Sequence, residues 1–414
     1  MDGVIASLFF ILALVVRFAF FPYWASLSLG GDESYYWNMA RLISEGDVVP
    51  QNIFLRPPLW PYVLSVSALF SPNPLWGRLL TTILGAVTTP FIYFIGKRVF
   101  SKRVGILAAF LFTIYPSCIG FSHYLWSETF YLLFSVIITY LFFGALNSKS
   151  VSKLYMSFAF MGLAFLSKEE TILFFASCLI VLLRMNGKAS YRLVLYAILI
   201  FSTPAIIYSV YASYTNHRVI ILADAPFYNA NQRNYGFSKA WQLSPEENQK
   251  LFVGDMGSTI KNAFRTYPKQ FANLWTPNSF VIHRLLYASY FGNYRMPYAE
   301  IGAYIDAGAY IIIVVLGLSG MFLSEKSPFE TFSTCYVVLL CLSATIFLMC
   351  SRFRIPLMYV FIIYASRVIS YPKQNAYFIM NLRSNWKSVV LWTVSLLVFG
   401  IVIVSKWDTL GQWG

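Results

Sequence analysis

Five short stretches set acids and bases beside apolar runs, and each could do chemistry. The first is Gly31-Asp32-Glu33, followed at once by Tyr35 and Tyr36, directly after an apolar run that ends near Trp24. Two carboxylates at that spacing reach the membrane surface, where one could take a proton from an incoming hydroxyl. The competing reading is plain solvation, with the tyrosines as an interfacial belt. The second stretch is Phe54-Leu55-Arg56-Pro57-Pro58-Leu59-Trp60-Pro61. Pro57 drives Arg56 out of the helical region and Pro58 can start the next helix. A guanidinium on a stiff elbow suits phosphate, since its planar fork binds two oxygens together; a snorkelling Arg would look the same. The third is Ser127-Glu128 with His123 nearby, the fourth Lys168-Glu169-Glu170, the fifth Arg352-Phe353-Arg354-Ile355-Pro356. Each alone also reads as helix-end solvation. Together they describe a cavity of acids and bases at one membrane depth, which fits a phosphorylated, sugar-bearing lipid.

The elements that would position these residues are transmembrane helices. Of 414 residues, 58% are hydrophobic and only 12% charged, against roughly a quarter charged in soluble domains. Mean hydropathy is +0.62. Eleven spans are expected, near 4–24, 74–96, 103–120, 124–146, 154–167, 171–184, 192–213, 302–323, 332–350, 355–371 and 388–405. The fold class is thus an all-α polytopic membrane protein. The fifth and sixth spans are short. One continuous helix over 154–184 would put Lys168-Glu169-Glu170 near mid-membrane at high cost, so a hairpin with an inset, wetted turn is expected.

Sidedness follows from charge. With the N-terminus inside, that face collects Lys97, Arg98, Lys102, Arg103, Lys149, Lys153, Arg184, Lys188, Arg192, Lys326, Lys373, Arg383 and Lys387. Among the acids only Asp2, Glu325 and Glu330 fall inside, and His123, His217 and His283 all fall outside. The net charge of +14 is therefore topological, and no basic run is interleaved with polar residues as a nucleic-acid face requires. The five cysteines lie in apolar stretches without metal-ligand spacing. The N-terminal run has no basic n-region and reads as a retained first helix.

Three regions are expected: 1–213 with a catalytic first outer loop at 25–73, an outer helical segment at 214–300, and C-terminal spans at 301–414. In the first loop, residues 32–46 show helical spacing with Gly46 as a stop, and a second short helix runs to about Phe70. In the outer segment, Ser244 could cap a helix with Glu247 three residues on, and an amphipathic helix is expected over 257–275.

The order GDExYY, RPPLWP, WSETFYLLF, GLAFLSKEE, SRFRIPLMY resembles the GT-C glycosyltransferases. Within them it is similar to the bacterial branch related to protein mannosyltransferases and to the aminoarabinose transferase of lipid A. The resemblance covers residues 1–185 and the Arg352–Ala365 stretch. The 215–300 segment is similar only in outline, through a loop with Asn229, Asn231 and Asn234 and the helix NAFRTYPKQFANLW. It implies a polyprenyl-phosphate-sugar donor and interfacial helices in the first outer loop. Residue by residue, it implies that Asp32 is the first-loop acid and Arg56 the basic residue before proline, often Lys in the lipid A branch. Glu128 falls at the second acidic position, Lys168 at the Lys after the fifth span, and Arg352 and Arg354 at the late basic motif. The chain shows fewer late spans than the aminoarabinose transferase and neither its soluble domain nor the luminal domain of protein mannosyltransferases, which leaves the acceptor open.

The expected reaction is displacement at the anomeric carbon, with inversion. Asp32 is first choice as base, with Glu33 or Glu128 behind it, while Arg56, Lys168, Arg352 and Arg354 hold the donor phosphate. Tyr35, Tyr36 and His283 are candidate substrate contacts. A divalent metal has room among the acids and His283, but nothing in the spacing demands one, and no nucleotide motif is present. The partners implied are the lipid donor, a glycan, lipid or protein acceptor, and membrane lipid, with no nucleic acid. The location implied is the outer face of a bacterial cytoplasmic membrane. The alternative is a membrane transporter or lipid flippase, for which internal repeats and midplane polar residues would be expected.

Overall fold

A computed structural model describes residues 1–414 except 26, 48–54, 187–190, 236–239, 241, 287–298, 346–348, 376–385 and 409–414. Phe54, Lys188 and Arg383 lie outside the described residues. The described residues form helices and no strand. In chain order they are α1 (Asp2–Ala25), α2 (Asp32–Glu45), α3 (Leu59–Ala68), α4 (Leu75–Val99), α5 (Lys102–Ile114), α6 (Pro116–Phe121), α7 (Ser127–Ser148), α8 (Val151–Phe165), α9 (Thr171–Asn186), α10 (Tyr191–Asn216) and α11 (Ala225–Tyr235). Helices follow over Pro245–Gly254, Met256–Trp275, Phe280–Leu286, Ala299–Phe322 and Pro328–Ser343. A 3-10 turn over Ser351–Leu357 leads into Met358–Ser370, and Trp386–Trp407 comes last.

Seven of these helices are long and apolar enough to cross a membrane: α1, α4, α7, α10, Ala299–Phe322, Ser351–Ser370 and Val389–Trp407. The other four expected spans are shorter. At about 1.5 Å per residue, α8, α9 and Pro328–Ser343 reach only roughly 22–24 Å. The expected third span is split, because Pro116 cannot continue the helix and holds Tyr115 extended (ψ 114°). Serines start several helices: Ser101 and Ser327 accept from the third amide onward, Val104 and Glu330.

The centre of the bundle is Leu357–Ala365, where every residue is fully buried, as suits a helix apolar all round. Two glycines let its neighbour approach: a Cβ on Gly317 would stand 2.8 Å from Phe361, and Gly320 abuts Tyr364 in the same way. Gly96 and Gly105 bring α4 and α5 together likewise. α1 and the last helix lie at the rim, exposing Val4, Leu8 and Val15, and Leu397, Ile401 and Val404.

The hairpin of α8 and α9 forms as expected, but Lys168 in its turn is buried rather than wetted. Gly46 ends α2 in the left-handed region (φ 73°), its amide bonding to Ile43 and Leu42. Ser244 and Glu247 make the expected capping box. Asn229, Asn231 and Asn234, expected in a loop, fall in α11. The Asn231 amide donates to the Asn248 carbonyl (2.8 Å) and side-chain oxygen (2.9 Å), which pairs that helix with Pro245–Gly254.

Candidate active site

Counting crossings from the N-terminus puts the end of α1, the start of α4, the start of α7, the α8–α9 turn and the 3-10 turn at one end of the bundle. The basic residues Lys97, Arg98, Lys149 and Lys153 share the opposite end. At the first of these ends an unbroken chain of ion pairs joins six side chains. Arg56 Nη2 meets Asp32 Oδ1 at 3.1 Å, and Asp32 Oδ2 accepts from Arg352 Nη1 at 2.6 Å. Arg352 Nε lies 3.6 Å from Glu128 Oε1, which accepts from Lys168 Nζ at 2.7 Å. Lys168 Nζ stands 3.9 Å from Glu170 Oε2.

Local sequence explains each placement. Gly31 adopts φ 55° and ψ −126°, a region that L side chains avoid. This turns the chain sharply enough for α2 to begin at Asp32. Pro57 and Pro58 hold Arg56 off the start of α3, and the Leu59 amide bonds to the Leu166 carbonyl (2.8 Å), tying that elbow to the end of α8. Glu128 sits in the first turn of α7, where the helix N-terminus favours a negative charge. Arg352 lies over the Trp126 ring (5.2 Å), and Lys168 over Phe353 (5.2 Å).

Burial and pairing act differently on the members of this chain. Burial alone would push the Asp32 carboxyl up, but Arg56 and Arg352 together hold it well below the usual carboxylate range. Burial works against the Lys168 ammonium, yet Glu128 and Glu170 keep it above its ordinary value. Glu170 goes the other way: burial pushes it up to about 7.

Glu33 points to the other side of α2 and is fully buried. Its oxygens meet Arg284 Nη1 at 3.1 Å and Arg78 Nη2 at 3.5 Å, and Oε1 accepts from the Leu125 amide at 3.2 Å. Arg284 also donates to the Ser28 carbonyl (3.1 Å), and Arg78 to the carbonyls of Trp24 and Leu27. This second knot joins α4 and Phe280–Leu286 to the stretch from Ser28 to the start of α2. Arg78 and Arg284 escaped the sequence reading, because neither stands in a motif.

The remaining candidates divide. The Tyr36 hydroxyl faces Ser127 Oγ at 3.5 Å, next to Glu128, and Tyr35 packs edge-on to Tyr36 at 5.5 Å. Arg354 is buried away from the ion-pair chain, donating to the carbonyls of Leu274 (2.7 Å) and Thr276 (2.6 Å) above the Tyr310 ring. His283 is buried beside Arg284 in Phe280–Leu286. His123 is buried, its ring nitrogens against the carbonyls of Ile119 (2.8 Å) and Arg17 (3.0 Å). Among the described residues no group of three His, Cys, Asp or Glu could hold a metal. Asp32 and Glu128 are each committed to cations, a donor set that does not fit a dication.

A profile of the family described as dolichyl-phosphate-mannose-protein mannosyltransferase matches residues 55–214. No curated protein matches the chain. Among solved structures, the Archaeoglobus fulgidus oligosaccharyltransferase in its apo form aligns over 97% of this chain and 55% of its own, with 14% identity and a TM-score of 0.55. The same organism's AglB, in complex with an inhibitory peptide and a dolichol-phosphate, aligns over 97% and 54%, with 16% identity and a TM-score of 0.54. ArnT from Cupriavidus metallidurans, bound to undecaprenyl phosphate, aligns over 89% and 61%, with 14% identity and a TM-score of 0.55. The chain thus spans a little over half the length of these structures. Together the bundle, the profile over α3–α10 and these alignments identify the chain as a membrane protein of the GT-C glycosyltransferase fold.

Proposed function

We propose that the protein transfers a sugar from a polyprenyl-phosphate donor to an acceptor on the outer face of a cytoplasmic membrane. The observation that carries this reading is the chain of ion pairs from Arg56 to Glu170. Three cations converge at one end of the bundle, where a lipid head group arrives, and their resting partners are carboxylates that a phosphate could displace.

In this reading the acceptor oxygen attacks the anomeric carbon, and its proton passes to the Asp32 carboxylate. The bond between that carbon and the phosphate oxygen breaks, and the electron pair leaves with the lipid phosphate. Attack opposite the leaving group inverts the configuration. Arg56, Arg352 and Lys168 take up the charge that develops on the phosphate. Clamped between two guanidiniums, Asp32 is a weak base at rest. A donor phosphate that draws Arg56 and Arg352 toward itself weakens that clamp and raises the basicity of Asp32 as the substrate is seated. Tyr35 and Tyr36 flank the donor, and Glu33 serves as a positioning residue through Arg78 and Arg284. The alignments with structures whose names carry dolichol-phosphate and undecaprenyl phosphate support a lipid phosphate as the donor's leaving group.

The test is sugar transfer by the purified, reconstituted protein from synthetic polyprenyl-phosphate sugars to a mixture of envelope lipids, glycans and peptides. Transfer of label from donor to acceptor with release of polyprenyl phosphate is expected. Movement of the intact donor across the bilayer without release of polyprenyl phosphate would replace the transferase reading with a flippase.

A further inference from the structure

Helix Met256–Trp275 turns one face inward and leaves the opposite edge uncovered. Ala263, Gln270, Leu274 and Trp275 are buried, and Gln270 Oε1 accepts from the Met349 amide at 2.7 Å. On the outside, Ile260 and Phe264 are 54% and 70% exposed, beside exposed Lys261, Arg265 and Lys269. At about 100° per residue, Ile260 and Phe264 form one border of the open face and the three bases the other. The helix contains no acid, and none of the three bases has an ion-pair partner among the described residues.

The depth of this helix is set by its C-terminal end. Arg354, at the start of the central span, donates to the carbonyls of Leu274 and Thr276. Lys406, near the end of the last span, donates to Asn273 Oδ1 at 3.0 Å. The C-terminal end of the helix is therefore fixed where spans end, at the level of lipid head groups. An amphipathic helix with bases along its polar border sits in that interface and favours anionic lipid.

We propose that the open edge of Met256–Trp275 docks on anionic phospholipid, and that this seat steadies the 3-10 turn carrying Arg352. Ile260 and Phe264 enter the acyl boundary, while Lys261, Arg265 and Lys269 meet head-group phosphates. Three unmatched cations in succession call for net negative charge, which zwitterionic lipid lacks. The adjoining apolar border requires an acyl layer, which a soluble acidic partner lacks. The link to Arg352 runs through two contacts, Gln270 to the Met349 amide and Arg354 to the end of the helix. The docking stands on this geometry alone, whereas its effect on turnover rests on the proposed function.

The test uses the full chain with its native cysteines replaced and Phe264→Cys carrying an environment-sensitive fluorophore. It is placed in nanodiscs of phosphatidylcholine alone or mixed with phosphatidylglycerol. Quenching by nitroxide lipid is expected in both and should deepen with phosphatidylglycerol. In K261Q/R265Q/K269Q that deepening should vanish, since each base contributes about a fivefold preference for an anionic surface. Turnover of the unlabelled protein should rise several-fold with phosphatidylglycerol, and the triple variant should lose the rise while keeping its rate in phosphatidylcholine. A fluorophore that nitroxide lipid does not quench would overturn the docking. A triple variant whose acceptor KM rises equally in both lipids would assign the bases to the acceptor instead and overturn the proposal. If no disc supports sugar transfer, the proposed function fails while the quenching still decides the docking.

Discussion

Arg352 touches Asp32 through Nη1 at 2.6 Å and Glu128 through Nε at 3.6 Å, so one guanidinium spans the first-turn carboxylates of α2 and α7. Lysine keeps the charge but loses the planar fork that presents separate nitrogens to the two. Arg352→Lys should lower turnover partly and Arg352→Ala severely, by about 2–4 kcal/mol of transition-state stabilisation. Because Arg56 shares Asp32, the R56A/R352A double variant should lose less than the sum of the single losses. Steady-state kinetics on reconstituted protein measures both, and strict additivity would mean the two arginines act on separate groups.

Asp32→Asn keeps the shape of the side chain and removes its capacity to take a proton. Turnover should fall by about 10²–10⁴-fold with donor KM largely kept. Glu45→Gln, at the far end of α2, removes only the exposed pair with Arg41 and should be mild. Near-normal turnover in Asp32→Asn would pass the role of base to Glu128.

Arg56→Lys separates phosphate recognition from simple contact with head groups. If Arg56 only snorkels, lysine replaces it without effect. If it holds phosphate oxygens with its fork, Arg56→Lys should raise donor KM and lower turnover, with Arg56→Ala worse. Full activity in Arg56→Ala, at normal expression, would remove the elbow from the donor site.

Glu170 gives the protein a distinct pH response. Its carboxyl is raised to about 7 from an ordinary 4.5, so the folded protein binds this proton more tightly than the unfolded chain does. Its contribution is full below pH 4.5 and is lost as pH rises toward 7, at up to about 1.4 kcal/mol per unit. Above that the contribution is flat. Thermal unfolding in detergent from pH 5 to 8 should show this decline, and Glu170→Gln should abolish it. An identical slope in the variant would assign the decline to other groups.

Arg284→Ala leaves Glu33 buried with one guanidinium where it had two. Removing one member of a buried ion pair costs about 3–5 kcal/mol, so the melting temperature should drop sharply. Arg284→Lys should recover part of it. Unchanged stability in Arg284→Ala would mean that Arg78 and the Leu125 amide hold Glu33 without help.

The ends of helices where Asp32, Arg56, Glu128, Lys168 and Arg352 stand were legible from apolar run length, proline and charge, because those signals are local. Which of two neighbouring residues faces the cluster was not. Asp32 and Glu33 are adjacent at the start of α2, and a helix turns them about 100° apart, one into each knot. Arg352 and Arg354 are separated by two steps of a 3-10 turn, at about 120° per residue, so only one can face Asp32. Pro116 itself marks the break in the third span, which apolar run length alone joins across, whereas nothing local announces the 3-10 turn ahead of Pro356. The partners of Glu33 were hidden for another reason: Arg78 and Arg284 are ordinary helix residues, and contacts between distant segments leave no periodic trace.

The pairing of Glu33 with Arg284 joins positions 251 residues apart in the chain. A ribosome feeding this protein into a membrane delivers Asp32, Arg56, Glu128 and Lys168 well before Arg284, and Arg352 later still. Between the synthesis of Arg78 and that of Arg284, Glu33 has only the first of them to neutralise it. The second knot is thereby closed late, since a chain that ends before Phe280–Leu286 holds Glu33 and Arg78 but lacks the second guanidinium, that of Arg284.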